Sequence, residues 1–257
     1  MTTLTDFDNV FNNSIKIFES INNEEKDNLF ESFRTQHSIY GFIDNGDFPP
    51  DDCAVKIAEQ TNLELYQKYI THNKNKLILG YKNSSTNFVE YTNLDSRHIM
   101  MSVLLFTWLP EPVQNIVEIG GGFGNWLRLN IIQEFNKWYI IDLPHVSELQ
   151  NWYLKKENIP NNKYELITAL EYEKWNSTHD NYDLVIGSHS LSEFKFAIFE
   201  DYFNKVILKS KYLFFCYATI YSDSINEKLS LINTHFELLN TVLSENDMVA
   251  NSLYKRL

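Results

Sequence analysis

Four of the eight glycines in this 257-residue chain fall within five consecutive positions. Gly120, Gly121, Gly122 and Gly124 follow the apolar run 115–119 and precede a helical pattern. Glycine adopts backbone angles that a side chain forbids, and it lets a ligand approach the main chain closely. In an open parallel sheet, such a strand-to-helix turn lies at the carboxyl edge, where ligands bind. The segment therefore predicts a ligand-binding turn in an α/β sheet.

The sequence after Pro110 alternates between short apolar runs and helical patterns, which is typical of a parallel sheet covered on both faces. The expected fold class is α/β: a Rossmann-like doubly wound sheet of seven strands, mostly parallel with a C-terminal antiparallel strand. The predicted strands are Asn115–Ile119, Trp138–Ile141, Tyr164–Ile167, Asp183–Gly187, Tyr212–Ala218, Phe236–Leu243 and Met248–Lys255. The predicted helices between them are Asn125–Phe135, Val146–Asn158 and Leu191–Ser210.

The sequence before Pro110 is mainly helical in pattern. The predicted helices are Phe7–Phe18, Asn23–Phe33, Cys53–Ile70 and Asp95–Trp108, with a break at Asp44–Asp52 and an irregular stretch at Gly80–Asn93. We therefore expect two domains. Residues 1–108 would form a helical N-terminal cap that contributes to the acceptor site, and residues 109–257 would form the sheet domain.

Composition excludes several function classes. The formal net charge of −12 argues against a nucleic-acid groove, which needs clustered Lys and Arg. The longest uncharged apolar run, 99–109, is too short to cross a membrane, and the N-terminus has no secretory signal pattern. Two cysteines make no disulfide framework, which fits a reducing compartment. We expect a cytoplasmic protein without a membrane span or a nucleic-acid partner.

An acidic residue, Asp142, ends the predicted second strand 22 residues after Gly120. A carboxylate there can accept two hydrogen bonds from a ribose diol, which favours a nucleotide-type ligand. The dinucleotide fingerprint G-x-G-x-x-G/A fails at its third position, which is Asn125. Because a Tyr-x-x-x-Lys pair near the fifth strand is also absent, a nicotinamide-dependent oxidoreductase is the weaker alternative.

The spacing Gly120-x-Gly122-x-Gly124, preceded by Glu118, resembles the first motif of class I S-adenosylmethionine-dependent methyltransferases. Asp142 matches their ribose-binding acid, and the terminal strand pair matches their antiparallel hairpin. Four phrases over roughly residues 80 to 220 resemble the sugar O-methyltransferase group more closely. These phrases are residues 93–98, 118–124, 141–144 and 188–193.

The resemblance implies S-adenosyl-L-methionine as the methyl donor. The glycines would line its methionine and ribose portion, Asp142 would hold the ribose hydroxyls, and Leu143 would pack on adenine. Thr168 stands where the family often has an adenine-binding acid, so backbone groups or its hydroxyl would read the base. The candidate donor-binding residues are Glu118, Gly120, Gly121, Gly122, Gly124, Asp142, Leu143, Thr168, Ala169, Leu170, Ser188 and Arg97.

Arg97 is a candidate because arginine suits bidentate recognition of a carboxylate, here that of the donor's methionine tail. A solvated helix charge explains it equally well. No metal is predicted, because His189, Glu193 and Asp142 form no obvious cluster of ligands.

His189 and Glu193 are the catalytic candidates. A sugar hydroxyl is a weak nucleophile that must lose its proton as it attacks, and an imidazole is a suitable general base near neutral pH. Glu193 could orient that imidazole or bind an acceptor hydroxyl. The alternatives are that His189 only shapes the pocket and that Glu193 stabilises the start of a helix.

The sequence therefore predicts an O-methyltransferase acting on a hydroxyl of a sugar or sugar conjugate, that is, on a small-molecule or glycan acceptor. The alternatives are methyl transfer to a phenol or natural product, and a non-catalytic partner protein that kept the fold. A homodimer is left open. Because the chain is acidic, a neutral or weakly charged glycan suits it better than a polyanion.

Overall fold

The structure is a computed structural model, which describes residue 16 and residues 18–35, 51–74, 79, 92–179, 181–218, 224–244 and 248–257. The predicted helix Phe7–Phe18 lies almost entirely outside these residues. The same holds for most of the predicted break at Asp44–Asp52 and of the irregular stretch at Gly80–Asn93.

The chain forms two compact units, and neither is continuous in sequence. The first comprises Met1–Val103, Gly122–Ile132 and Pro144–Ile159. The second comprises Leu104–Gly121, Gln133–Leu143 and Pro160–Leu257. The domain boundary expected after residue 108 stays a prediction.

The second unit contains a seven-stranded sheet in the order β3-β2-β1-β4-β5-β7-β6. Its strands are β1 (Asn115–Ile119), β2 (Lys137–Asp142), β3 (Tyr164–Thr168), β4 (Tyr182–Ser188), β5 (Ser210–Ala218), β6 (Phe236–Ser244) and β7 (Val249–Arg256). The first five pair in parallel, and β7 runs antiparallel to both β5 and β6. The predicted fold class is confirmed.

The strands form because their apolar runs are buried on both faces, as in sheets covered on both sides. Leu184, Val185 and Ile186 of β4 are each fully buried, and so are Phe214 and Phe215 of β5. Each predicted strand is found within two residues of its expected bounds, because a continuous apolar run specifies a buried strand well.

The helices are α1 (Asn23–Glu31), α2 (Asp52–Asn73), α3 (Asn93–Trp108), α4 (Asn125–Asn130), α5 (Pro144–Lys156), α6 (Tyr172–Asn176), α7 (Ser190–Glu193), α8 (Phe196–Lys205) and α9 (Ile225–His235). Among the described residues, no helix is long and apolar enough to cross a bilayer.

Two predicted helices were wrong in extent. The helix expected over Leu191–Ser210 is divided into α7 and α8, because Phe194 and Lys195 have extended backbone angles (ψ 144° and 148°). The helix expected over Asn125–Phe135 ends at Asn130. No element was predicted over Ile225–His235, where α9 lies.

In the first unit, α2 and α5 follow their predictions closely, and aromatic side chains form part of the core. The ring of Phe123, which lies within the glycine turn, packs 4.8 Å from that of Phe33 and 4.9 Å from that of Tyr153. Such ring pairs add to the stabilisation that burial provides. They anchor the second half of the turn within this unit.

Candidate functional site

The register of the sheet brings several predicted site residues of the second unit to one edge. Ile119 pairs with Ile141, so Gly120 follows β1 where Asp142 ends β2. Asp142 pairs with Thr168 of β3. The amide of Gly120 donates to the Ile141 carbonyl at 2.8 Å, and that of Ala169 donates to the Asp142 carbonyl at 2.7 Å. This edge is therefore the carboxyl end of the parallel strands, where ligands bind.

The segment after β4 lies directly against the start of the glycine turn. The Ser190 hydroxyl donates a short hydrogen bond to the carbonyl of Ile119. A Cβ added to Gly120 would lie 2.3 Å from the Cβ of Ser190, and Gly120 has φ +72°. Glycine is required here for its conformation and for this close approach. The two motifs that sequence reasoning singled out, the turn and residues 188–193, are thus neighbours.

Open space lies beside another glycine of the turn. Gly122 has φ +55°, and a Cβ added to it would meet nothing within 4 Å among the described atoms. Its carbonyl accepts a 2.8 Å hydrogen bond from the Gln150 side chain, which fixes this peptide. Here glycine leaves the main chain accessible, which suits a ligand that lies against the backbone.

The residues predicted to hold adenosine differ in exposure. Asp142 is partly exposed, and its Oδ1 accepts a 2.8 Å hydrogen bond from the amide of Leu143. Leu143 is buried, whereas Leu170 is 61% exposed. The Thr168 hydroxyl donates to Glu171 Oε2 at 2.9 Å.

Sequence reasoning missed Glu171, which supplies an exposed carboxylate three residues after the position where the family often has an acid. The signal was present, because an acid so close to a strand end can reach the same edge of the sheet.

Glu118 lies behind the turn, where it is 2% exposed. Its Oε2 accepts a 2.9 Å hydrogen bond from the Trp138 indole, and a Cβ added to Gly121 would lie 3.2 Å from its carboxyl carbon. Burial, together with the charge of Asp142, raises the pKa of Glu118 to about 8, although the Trp138 hydrogen bond opposes the shift. The carboxyl is therefore mostly protonated at neutral pH.

His189 has a backbone conformation that side chains rarely adopt, with φ +64° and ψ −45°. These angles are close to those of the strained γ-turn. Its amide donates to the Cys216 carbonyl at 3.1 Å, and its own carbonyl accepts from the amides of Ser192 and Glu193 at 2.9 and 3.2 Å. Strained non-glycine residues cluster at functional sites, where surrounding contacts hold them.

The first and last residues of the 188–193 segment are at least partly accessible. Ser188, the last residue of β4, is partly exposed and pairs with Cys216 of β5. Glu193, the last residue of α7, reaches the surface. The surrounding protein nevertheless removes enough water from the Glu193 carboxylate to raise its pKa, while the charge of Lys228 opposes that rise.

Arg97 lies in the first unit, where its Nε is 3.1 Å from Asp51 Oδ2 and its side chain is 38% exposed. Asp51 also caps α2, because its Oδ1 accepts from the amides of Cys53 and Ala54. The Arg97 guanidinium thus has a protein carboxylate as its partner. Its role toward a donor carboxylate stays a prediction.

The first unit contains a buried polar network that sequence reasoning missed. The Arg128 guanidinium donates to Asn125 Oδ1 at 2.9 Å, to Asn73 Oδ1 at 2.8 Å and to Asp95 Oδ1 at 2.6 Å. Asn125 also donates to Asp95 Oδ1 at 2.9 Å. Since Asn125 begins α4, the network fixes the helix that follows the glycine turn.

Asp95 is the negatively charged group of this network. Burial raises the pKa of Asp95, but Arg128, Arg34 and the hydrogen bonds from Asn125 and Thr92 outweigh it and hold that pKa well below its usual range. Asp95 belongs to the 93–98 phrase, so this part of the family resemblance has a structural role here.

The residues that the structure describes contain no group of three or more His, Cys, Asp or Glu side chains arranged to hold a metal ion.

No family model and no curated protein matches the chain. Among solved structures, the PH0226 protein of Pyrococcus horikoshii OT3 is similar over 68% of this chain and 93% of its own, with 12% identity and a TM-score of 0.51. The magnesium protoporphyrin IX methyltransferase of Synechocystis PCC 6803 with bound SAM matches over 80% and 98%, with 12% identity and a TM-score of 0.49. A SAM-dependent methyltransferase of Aquifex aeolicus matches over 61% and 89%, with 14% identity and a TM-score of 0.47. At such identities the likeness concerns the fold.

Proposed function

We propose that this protein is an S-adenosylmethionine-dependent O-methyltransferase whose acceptor is a hydroxyl of a sugar or sugar conjugate. The observation that carries the proposal is the contact of Gly120 with Ser190. The glycine turn, which resembles a donor-binding motif, lies against Ser190, the residue next to His189, and this supports a shared site. A donor turn and a general base must be close for methyl transfer.

The residues present fit the donor. The space beside Gly122 leaves the backbone accessible, and the partly exposed Asp142 carboxylate lies at the same sheet edge as Gly120. Asp142 would accept from the ribose hydroxyls, and Glu171 would accept from the adenine amino group beside Thr168. When bound, S-adenosylmethionine supplies a methyl group on a sulfonium centre.

The acceptor side of the proposal rests on His189. Its imidazole would take the proton of the acceptor hydroxyl as the new O–CH3 bond forms, and Glu193 would orient the imidazole or the acceptor. The chain's net charge of −12 is unfavourable for a polyanionic acceptor and suits a neutral or weakly charged one. A neutral glycan hydroxyl is therefore the acceptor we propose.

Replacing Asp142 with Ala should weaken donor binding, because the ribose hydroxyls lose a charged acceptor. We expect the Kd for S-adenosylhomocysteine to rise by about tenfold or more, which corresponds to about 1.4 kcal/mol or more. Isothermal titration calorimetry measures it. Exposed Glu165, the second residue of β3, provides a matched control, and Glu165→Ala should leave the Kd unchanged. Failure of the unmodified protein to bind S-adenosylhomocysteine would refute the proposal.

The strained backbone of His189 permits a test that separates its chemistry from its conformation. His189→Ala and His189→Gly both remove the imidazole, so both should lose turnover while they keep donor affinity. Glycine adopts a positive φ readily, so His189→Gly should unfold with a free energy about 1 kcal/mol above that of His189→Ala. Urea unfolding and turnover of labelled donor with a panel of nucleotide sugars measure both effects. Full turnover in either variant would remove His189 as the base, and turnover only with phenols would replace the acceptor class.

A further inference from the structure

Lys228, on α9, is a fully buried lysine of the second unit. Its Nζ donates to the carbonyl of Ser192 at 2.6 Å and to the carbonyl of Phe194 at 2.5 Å. A buried ammonium is costly unless it is paired or hydrogen-bonded. These two carbonyls flank Glu193 directly in the sequence, so the lysine holds the backbone on each side of a candidate site residue.

The carbonyls that Lys228 binds lie at the end of α7. This helix has four residues, and the next helix, α8, begins only at Phe196. The last carbonyls of a helix lack partners within the helix, and a positive charge there is favourable. The Lys228 ammonium also lies 5.8 Å from the ring centre of Phe199 on α8. One side chain from α9 thus fixes the join between α7 and α8.

Glu193 and Lys228 also act on each other through their charges. Burial lowers the pKa of Lys228 to about 8, and Glu193 opposes that shift. Burial raises the pKa of Glu193, and the positive charge of Lys228 opposes this rise. Among the described residues, Glu193 is the charged group whose charge acts on the pKa of Lys228, while the Lys228 Nζ donates to the two carbonyls and lies over the Phe199 ring.

We propose that Lys228 is a positioning residue for methyl transfer, which holds the segment carrying His189 and Glu193 in place through the carbonyls of Ser192 and Phe194. The inference rests on the proposed function, which needs that segment beside the glycine turn. Lys228 lies 35 residues beyond Glu193 in the sequence, and neither carbonyl partner is a side chain, so no motif connects them.

The first test measures the coupling without reference to activity. Carbon-13 NMR of glutamate-labelled protein follows the Glu193 carboxyl with pH, and the signal missing from Glu193→Gln assigns it. In Lys228→Gln, which can still donate a hydrogen bond, the pKa of Glu193 should rise by about one unit, because a neighbouring positive charge is lost. Lys228→Arg should restore the native value.

Lys205 on α8 provides the matched control. It is partly exposed and pairs with Glu173 and Asp201, so Lys205→Gln should leave the titration of Glu193 unchanged. If Lys228→Gln fails to fold, nitrogen-15 NMR of the lysine side chains in Glu193→Gln gives the reciprocal measurement. Removal of the exposed Glu193 charge should lower the pKa of Lys228 further. An unshifted Glu193 in folded Lys228→Gln, or an unshifted Lys228 in Glu193→Gln, would overturn the inference.

The second test is kinetic. We expect Lys228→Gln to lower kcat about tenfold, to leave the Kd for S-adenosylhomocysteine within about twofold, and to move the acidic limb of the pH–rate profile upward with the pKa of Glu193. Native kcat and an unmoved profile would refute the positioning role while the proposed function stands. A native protein that binds no S-adenosylhomocysteine refutes the proposed function, and the positioning role with it. Calorimetry on the native protein therefore distinguishes the two failures.

Discussion

Gly120→Ala should destabilise the protein severely, whereas Gly122→Ala should be tolerated by the fold. Both residues have a positive φ, at +72° and +55°, so an added side chain strains either backbone by about 1 kcal/mol. At Gly120 the new Cβ would also lie 2.3 Å from the Cβ of Ser190, whose hydroxyl is bonded to the carbonyl of Ile119. Because Ser190 is held in place, we expect a total cost of about 2–5 kcal/mol.

Gly122→Ala should keep its stability but lose affinity for the donor. The Cβ of Gly122→Ala would enter the open space beside the turn, so this folded variant should bind S-adenosylhomocysteine about tenfold more weakly or worse. Urea unfolding and calorimetry on both variants provide the measurements. Equal loss of stability in the two would refute the argument from the Ser190 contact. Native affinity in Gly122→Ala would show that the donor does not use this space.

The sequence predicted the sheet well because a buried parallel strand is a continuous apolar run, and such a run specifies its own bounds. β1 was predicted over its observed range, Asn115–Ile119. Parallel strands end at a common edge of the sheet. The positions of Gly120, Asp142 and Thr168 at the ends of successive strands were therefore enough to predict that they lie at one edge. The glycine turn was visible because its conformation demands a particular residue type.

Contacts distant in sequence could not be predicted in this way. The interruption between α7 and α8 carries neither glycine nor proline at Phe194 and Lys195. Lys228, which binds there, comes from an element that was not predicted. The hydrophobic pattern of a helix predicts which of its faces is buried, but the partner of a buried charge depends on tertiary packing.

The partners of the arginines could not be predicted from the sequence either. Replacing the buried Arg128 should have the second large effect on the free energy of unfolding. Arg128 is 6% exposed in its side chain and donates to three side chains, whereas Arg97 is 38% exposed and its Nε pairs with Asp51 at 3.1 Å. Arg128→Met should cost about 3–5 kcal/mol of unfolding free energy, because it removes the guanidinium that pairs with the buried Asp95 carboxylate at 2.6 Å. Arg97→Met, the matched control, should cost about 0–1 kcal/mol. Similar costs for the two variants would contradict this ranking.

The cost of Arg128→Met should also depend on pH in a direction that follows from Asp95. In the native protein the pKa of Asp95 is lowered, so its contribution to stability is present above the unfolded pKa of about 3.9 and is lost as the pH falls below it. Without Arg128, burial weighs more heavily and raises that pKa, so protonation relieves the buried charge of the variant. The stability difference should therefore narrow between pH 7 and about pH 4. Urea unfolding of both proteins over this range measures it, and a constant difference would show that Arg128 stabilises through packing rather than through its charge.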